Sequence, residues 1–185
     1  WVANDEDIMR GLARELTKGG KFVVASLDYR WAGKADGDAT GNTMAAIIED
    51  MFGGIAHIME HAAQYGGDPT QLYMTGGSAG GHLTALAALT ANDPQFQPGF
   101  ESVDTSLTAA LPLYGDYDWL DTNRERATRH LDRSKFLAEK IVKCTLDANR
   151  ALWELGSPLS HVRADAPPFF VFHGAKDSML LVEDT

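Results

Sequence analysis

The chain reads as α/β: a mainly parallel sheet with helices on both faces. Three observations predict it. Short, nearly continuous apolar runs stand at residues 21–27 (KFVVASL), 107–114 and 168–172 (PFFVF), the mark of strands buried on both faces. Between them lie stretches with apolar residues every three or four positions, the mark of amphipathic helices. The two kinds alternate, as they do when helices cross over between parallel strands.

Taken in order, residues 5–18 place Ile8, Met9, Leu12, Ala13 and Leu16 on one helical face, and Gly19-Gly20 closes the helix. Residues 21–27 form the first predicted strand, and the glycine-rich polar residues 29–42 a loop. Residues 43–62 carry Met44, Ile47, Ile48, Met51, Ile55, Ile58 and Met59, a long amphipathic helix whose Gly53-Gly54 pair points to close packing. YGGDP at 65–69 is a turn, QLYMT a strand, and 79–90 an Ala/Leu-rich helix. A strand at 107–114 follows. Residues 115–160 are more charged and read as a small helical insertion or cap, best at 133–142. The last strand, at 168–172, leads into the loop HGAKD.

The 185 residues suit a single domain spanning 1–185, with the 115–160 insertion inside it. Apolar residues make up 44%, which supports a packed core. The formal charge of −10 argues against nucleic-acid binding, which needs a basic face. No apolar run approaches the roughly 20 residues of a membrane span, and no signal peptide is visible. Compartment and oligomeric state stay open. Cys144 is the single cysteine, so an intrachain disulfide and a cysteine-based metal site are excluded. It reads as a small apolar residue.

The densest chemical signal is TGGSAGGH, residues 75–82. Gly76-Gly77-Ser78-Ala79-Gly80 fits G-x-S-x-G between a predicted strand and a predicted helix, the context that gives this motif its meaning. A nucleophile on so tight a turn has a strained backbone, and its neighbours must be small for strand and helix to pass closely. The turn exposes the Ser78 hydroxyl. It leaves the Ala79 N–H at a helix N-terminus, where negative charge is favoured, as a candidate oxyanion donor. A phosphate-binding loop would need a G-K-[ST] ending that is missing here.

These residues resemble the α/β-hydrolase superfamily, and within it the esterase/lipase families that include hormone-sensitive-lipase-like enzymes and bacterial acetyl or feruloyl esterases. FVVASLDYR, YGGDPTQLYMTGGSAGGHLTALAAL and SPLSHVRADAPPFFVFHGAKDSMLLVED carry the resemblance, which covers nearly the whole chain. It implies Ser78 as nucleophile and Asp177, in the loop after the last strand, as the acid that orients a histidine. It implies that Trp1 follows an upstream glycine stretch supplying further oxyanion donors. The histidine should follow Asp177 in chain order, yet none does within the 185 residues. The expectation is therefore an internal portion of the fold, incomplete at both ends, with the catalytic histidine outside this chain. Made alone, such a portion would leave an unpaired sheet edge and fold poorly.

Asp116 and Asp118, after the third predicted strand, are weaker rivals for the acid, and Asp28 reads as structural. His82 reads as a packing residue near the serine, and Trp1 and His82 are candidates for the substrate-pocket edge. His173 should bond within its loop. His57 and His61, one turn apart, have the spacing of a metal pair but lack a third ligand. His130 and His161 stand in no constellation. No metal or organic cofactor is called for. The function this supports is hydrolysis of a small-molecule carboxylic ester, with short acyl groups favoured by the small residues around Ser78. An amide hydrolase of the same fold, such as a formamidase or acyl-peptidase, and a non-catalytic ligand-binding relative remain open alternatives.

Overall fold

The computed structural model describes residues 1–2, 6–32, 41–122 and 131–185. A 3₁₀ turn at Glu6–Met9 leads into α1 (Arg10–Thr17). Then come α2 (Met44–His61), β1 (Tyr73–Gly77), α3 (Ala79–Thr90) and β2 (Ala109–Leu113). α4 (Leu131–Phe136) runs on into one π-helical turn, Leu137–Ile141, and α5 (Arg150–Gly156) follows.

β1 and β2 pair in parallel, Tyr73 opposite Ala109 and Gly77 opposite Leu113. Residues 168–172 extend the sheet on the far side of β2. Parallel bridges join Ala110 to Phe169 and Leu113 to Phe172, with Phe170 N–H donating to the Ala110 carbonyl at 2.9 Å and Tyr114 N–H to that of Phe172 at 2.7 Å. The parallel α/β architecture read from the alternation is the one observed.

Two predicted strands need correction. Residues 21–27 form no ladder among the described residues, and Phe22 and Val23 are 50% and 52% exposed. Among the described residues, 168–172 are held along one edge only, and Phe170 is 61% exposed. An apolar run reports a capacity for burial, and burial requires a neighbour on each side. The predicted helix at 5–18 forms as α1 after its 3₁₀ turn, but none of the residues of α1 is buried. Asp5 lies outside the described residues.

The core is built around α2 and α3. Met44, Ile47, Ile48, Met51, Phe52 and Ile55 recur at helical spacing and are all buried. Each such side chain contributes about 1.5–3 kcal/mol when fully removed from water. Gly54 of the predicted close-packing pair meets the Leu27 side chain, while Gly53 faces open space. The turn after α2 ends on Gly66 at φ 80°, a left-handed conformation suited to glycine. From the described part of 115–160, Trp119, Leu137, Ile141, Val142 and Trp153 belong to the same core as α2 and α3. The Trp119 N–H donates to Ser157 Oγ, and Leu159 N–H to the Tyr117 carbonyl. No helix among the described residues is long and apolar enough to cross a membrane.

Candidate active site

Ser78 is the single residue between β1 and α3. Its φ of 55° and ψ of −114° place a non-glycine residue in a sparsely populated backbone region, which costs on the order of 1–3 kcal/mol unless the surroundings impose it. Two backbone bonds impose it here. Ser78 N–H donates to the Leu113 carbonyl at 3.0 Å, and the Ser78 carbonyl accepts from His82 N–H at 3.0 Å. The first pins the turn to the end of β2, and the second starts α3.

The neighbouring glycines let this happen. A Cβ on Gly76 would sit 2.7 Å from the Gly80 carbonyl, and one on Gly81 2.5 Å from the Leu113 carbonyl. Both neighbours are backbone, which cannot swing away. A Cβ on Gly77 would meet the Tyr114 phenol at 2.4 Å. Gly80 differs from the expectation for a flanking residue: nothing lies within 4 Å of its Cβ position, so only its backbone matters, as the wall that Gly76 meets. Ala79 opens α3, so its N–H lacks an i−4 carbonyl within the helix. Among the described residues nothing is hydrogen-bonded to Ser78 Oγ.

Asp177 closes a tight loop after the 168–172 strand. Its Oδ1 accepts from Met179 N–H at 2.8 Å and Leu180 N–H at 3.0 Å. Those two backbone donors, Leu180 foremost, hold the carboxyl below the usual aspartate range. Oδ2 faces His173 Nε2 at 3.5 Å. His173 bonds within the loop, as expected: Nε2 to the Leu180 carbonyl at 3.0 Å and Nδ1 to Thr185 Oγ1 at 2.7 Å.

The rival aspartates are committed elsewhere. Asp116 is buried and paired with Arg133, whose Nε lies 2.8 Å away. Asp118 caps its own loop, accepting from Leu120 and Thr122 N–H groups. Asp28 Oδ1 accepts from Tyr29 N–H.

His82, expected as a packing residue, is wholly buried with both ring nitrogens engaged. Trp1 Nε1–H donates to Nδ1 at 3.2 Å, and Nε2 meets the Gly156 carbonyl at 2.7 Å. Burial is the main cause that pushes its pKa down to about 4, so the ring is neutral at ordinary pH. Trp1 is buried beside it. His57 and His61 stack at 4.0 Å, and His61 Nδ1–H donates to the His57 carbonyl. Among the described residues no group of three or more His, Cys, Asp or Glu is placed to hold a metal. His161 bonds the Leu155 carbonyl; His130 lies outside the described residues.

Sequence reading missed the partners around His82. Trp119 stacks on it with 4.6 Å between ring centroids and 5° between planes, and Arg133 lies 5.0 Å over the Trp1 ring. No local pattern marks residues that meet from such separated stretches.

The family model described as BD-FAE matches residues 1–185. The probable carboxylic ester hydrolase LipM of Mycobacterium tuberculosis is 46% identical over 162 residues, covering 88% of this chain and 35% of LipM. Esterase LipQ of the same organism is 49% identical over 138 residues, covering 75% of this chain and 32% of LipQ. The chain thus spans about a third of the length of these curated relatives. The propionate-bound thermophilic esterase of Thermogutta terrifontis superposes with a TM-score of 0.70 at 25% identity, over 99% of this chain and 60% of that one. Matched along its whole length, the chain belongs to the BD-FAE family, a family of α/β-hydrolase esterases.

Proposed function

We propose that the protein is a serine hydrolase of carboxylic esters, with Ser78 as nucleophile and Asp177 as the acid that orients a histidine. The observation that carries this reading is the Ser78 turn: a non-glycine residue at φ 55° between a parallel strand and a buried helix, with glycine-to-backbone contacts on both sides. The similarity to LipM and LipQ supports ester over amide bonds. The propionate bound to the Thermogutta esterase supports short acyl groups.

In this reading Ser78 Oγ attacks the acyl carbonyl and passes its proton to the imidazole. The oxyanion of the tetrahedral intermediate accepts from Ala79 N–H. The imidazolium returns the proton to the departing alcohol, and water then releases the acid from the acyl-enzyme by the same steps. An ionised Asp177 suits the acid role, since it fixes the tautomer and stabilises the imidazolium. None of the five described histidines is hydrogen-bonded to Ser78 Oγ, so the base in this reading is none of these five. Segment 115–160 is read as a wall of the substrate pocket.

The test is the full-length protein with p-nitrophenyl acetate. Ser78→Ala should reduce kcat by at least about 10³-fold, and butyrate should turn over faster than octanoate. Unchanged turnover in Ser78→Ala would end the proposal.

A further inference from the structure

His82 joins three stretches that are far apart in sequence. Its own N–H donates to the Ser78 carbonyl, the bond that begins α3. Its Nδ1 accepts from the indole of Trp1 at 3.2 Å, which leaves the proton on Nε2 to be donated to the Gly156 carbonyl at 2.7 Å. Trp119 lies flat against the ring, and Trp1 meets it edge-on at 5.1 Å. Gly156 is bare because Trp119 leaves no room: a Cβ there would fall 2.3 Å from the indole. Trp1 is held in turn by the Arg133 guanidinium over its face, itself paired with buried Asp116.

The geometry points to His82 as a positioning residue for Ser78: a neutral imidazole that ties the first turn of α3 to Trp1 on one side and to the Gly156 carbonyl on the other. This rests on reading Ser78 as the nucleophile. A backbone held at φ 55° relaxes unless its surroundings over-determine it, and His82 is the side chain one turn along that is fixed from both ends. An aromatic hydrocarbon would fill the same volume, but it would leave an indole N–H and a carbonyl buried without partners. The two bonds need opposite characters at the two nitrogens, acceptor at Nδ1 and donor at Nε2. Only the neutral ring supplies that pair, and burial keeps it neutral.

The experiment measures steady-state turnover of p-nitrophenyl acetate and the rate of Ser78 labelling by a fluorophosphonate, in the full-length protein well below its unfolding temperature. His82→Phe keeps the stack and removes both bonds. It should lower kcat and the labelling rate about tenfold with KM within about twofold, the pattern of a displaced reacting group. His82→Gln, which offers an acceptor and a donor, should recover most of the loss. Trp1→Phe should lower kcat several-fold, and Trp1→Phe with His82→Phe should be no worse than His82→Phe alone, because both remove one linkage. Wild-type kcat in His82→Phe, or losses that multiply in the double variant, overturns the assignment. If His82→Phe does not fold, Trp1→Phe decides it, and wild-type kcat there overturns it equally. Ser78→Ala separates the two readings. Activity surviving in it refutes the nucleophile, whereas activity lost in it but kept in His82→Phe refutes only the positioning role.

Discussion

Helices α1 and α3 are opposites. α1 and the turn before it carry a clean apolar stripe, and yet Leu12 and Leu16 are 37% and 36% exposed, Ile8 in that turn is 62% exposed, and none of the helix's residues is buried. α3 has almost no one-sided stripe, because Ala, Leu, Gly and Thr surround its axis. Every residue from Gly81 to Thr90 is nevertheless buried. α3 lies against both β1 and β2 and against the 3₁₀ turn at Pro158–His161, with α2 packed on it as well. A stripe states that one side could be covered, whereas a helix apolar all round must be covered everywhere.

Four measurements sharpen or break this contrast, from the largest expected effect to the smallest. Leu86→Ala, in α3, should cost about 4 kcal/mol by denaturant unfolding, as fully buried leucines do. Leu12→Ala, in α1, should cost less than about 1 kcal/mol. Equal losses would mean that α1 is covered in the folded protein.

The second concerns pH. His82 has a folded pKa pushed by burial from 6.5 to about 4, so the unfolded chain binds the proton first. Its contribution is therefore fully present above pH 6.5 and is lost as pH falls from 6.5 towards 4, by about 3 kcal/mol in all. His82→Gln should flatten the fall in stability across that window, seen in urea unfolding at pH 7 and pH 4.5. An unchanged slope would mean that the ring already carries its proton when folded.

Third, Gly81→Ala should destabilise by about 2 kcal/mol, since its Cβ would press on backbone at Leu113 and Gly115. Fourth and smallest, Gly11→Ala in α1 should stabilise by about 0.5–1 kcal/mol, because nothing lies within 4 Å and alanine is the better helix former. The two substitutions are chemically identical, and calorimetry should give them opposite signs.

Much of the candidate site was legible in sequence because its constraints are local. The run of small residues around Ser78 announced a tight strand-to-helix turn, and Gly76 and Gly81 do sit against backbone. Gly80 shows the limit, since a motif does not say which of its glycines is crowded. Asp177 could be picked by its place after an apolar run, but its two backbone donors depend on how residues 178–180 turn. Residues 21–27, a strand by sequence, form no ladder among the described residues for a related reason. Its composition suits a sheet centre, while strand character is completed by hydrogen bonds to partners that no local window contains.

By itself, then, the sequence determined the alternation of elements, the helix carrying Met44 to Ile55, and the turn that sets Ser78 between β1 and α3. Each follows from periodicity or backbone sterics within a few residues. Only the tertiary structure decided that His82 is neutral and doubly bonded, that Asp116 serves Arg133, and that Trp119, Leu137, Ile141, Val142 and Trp153 share the main core. Those outcomes turn on burial and on partners many residues away, and desolvation acts on a side chain only once the rest of the fold has closed around it.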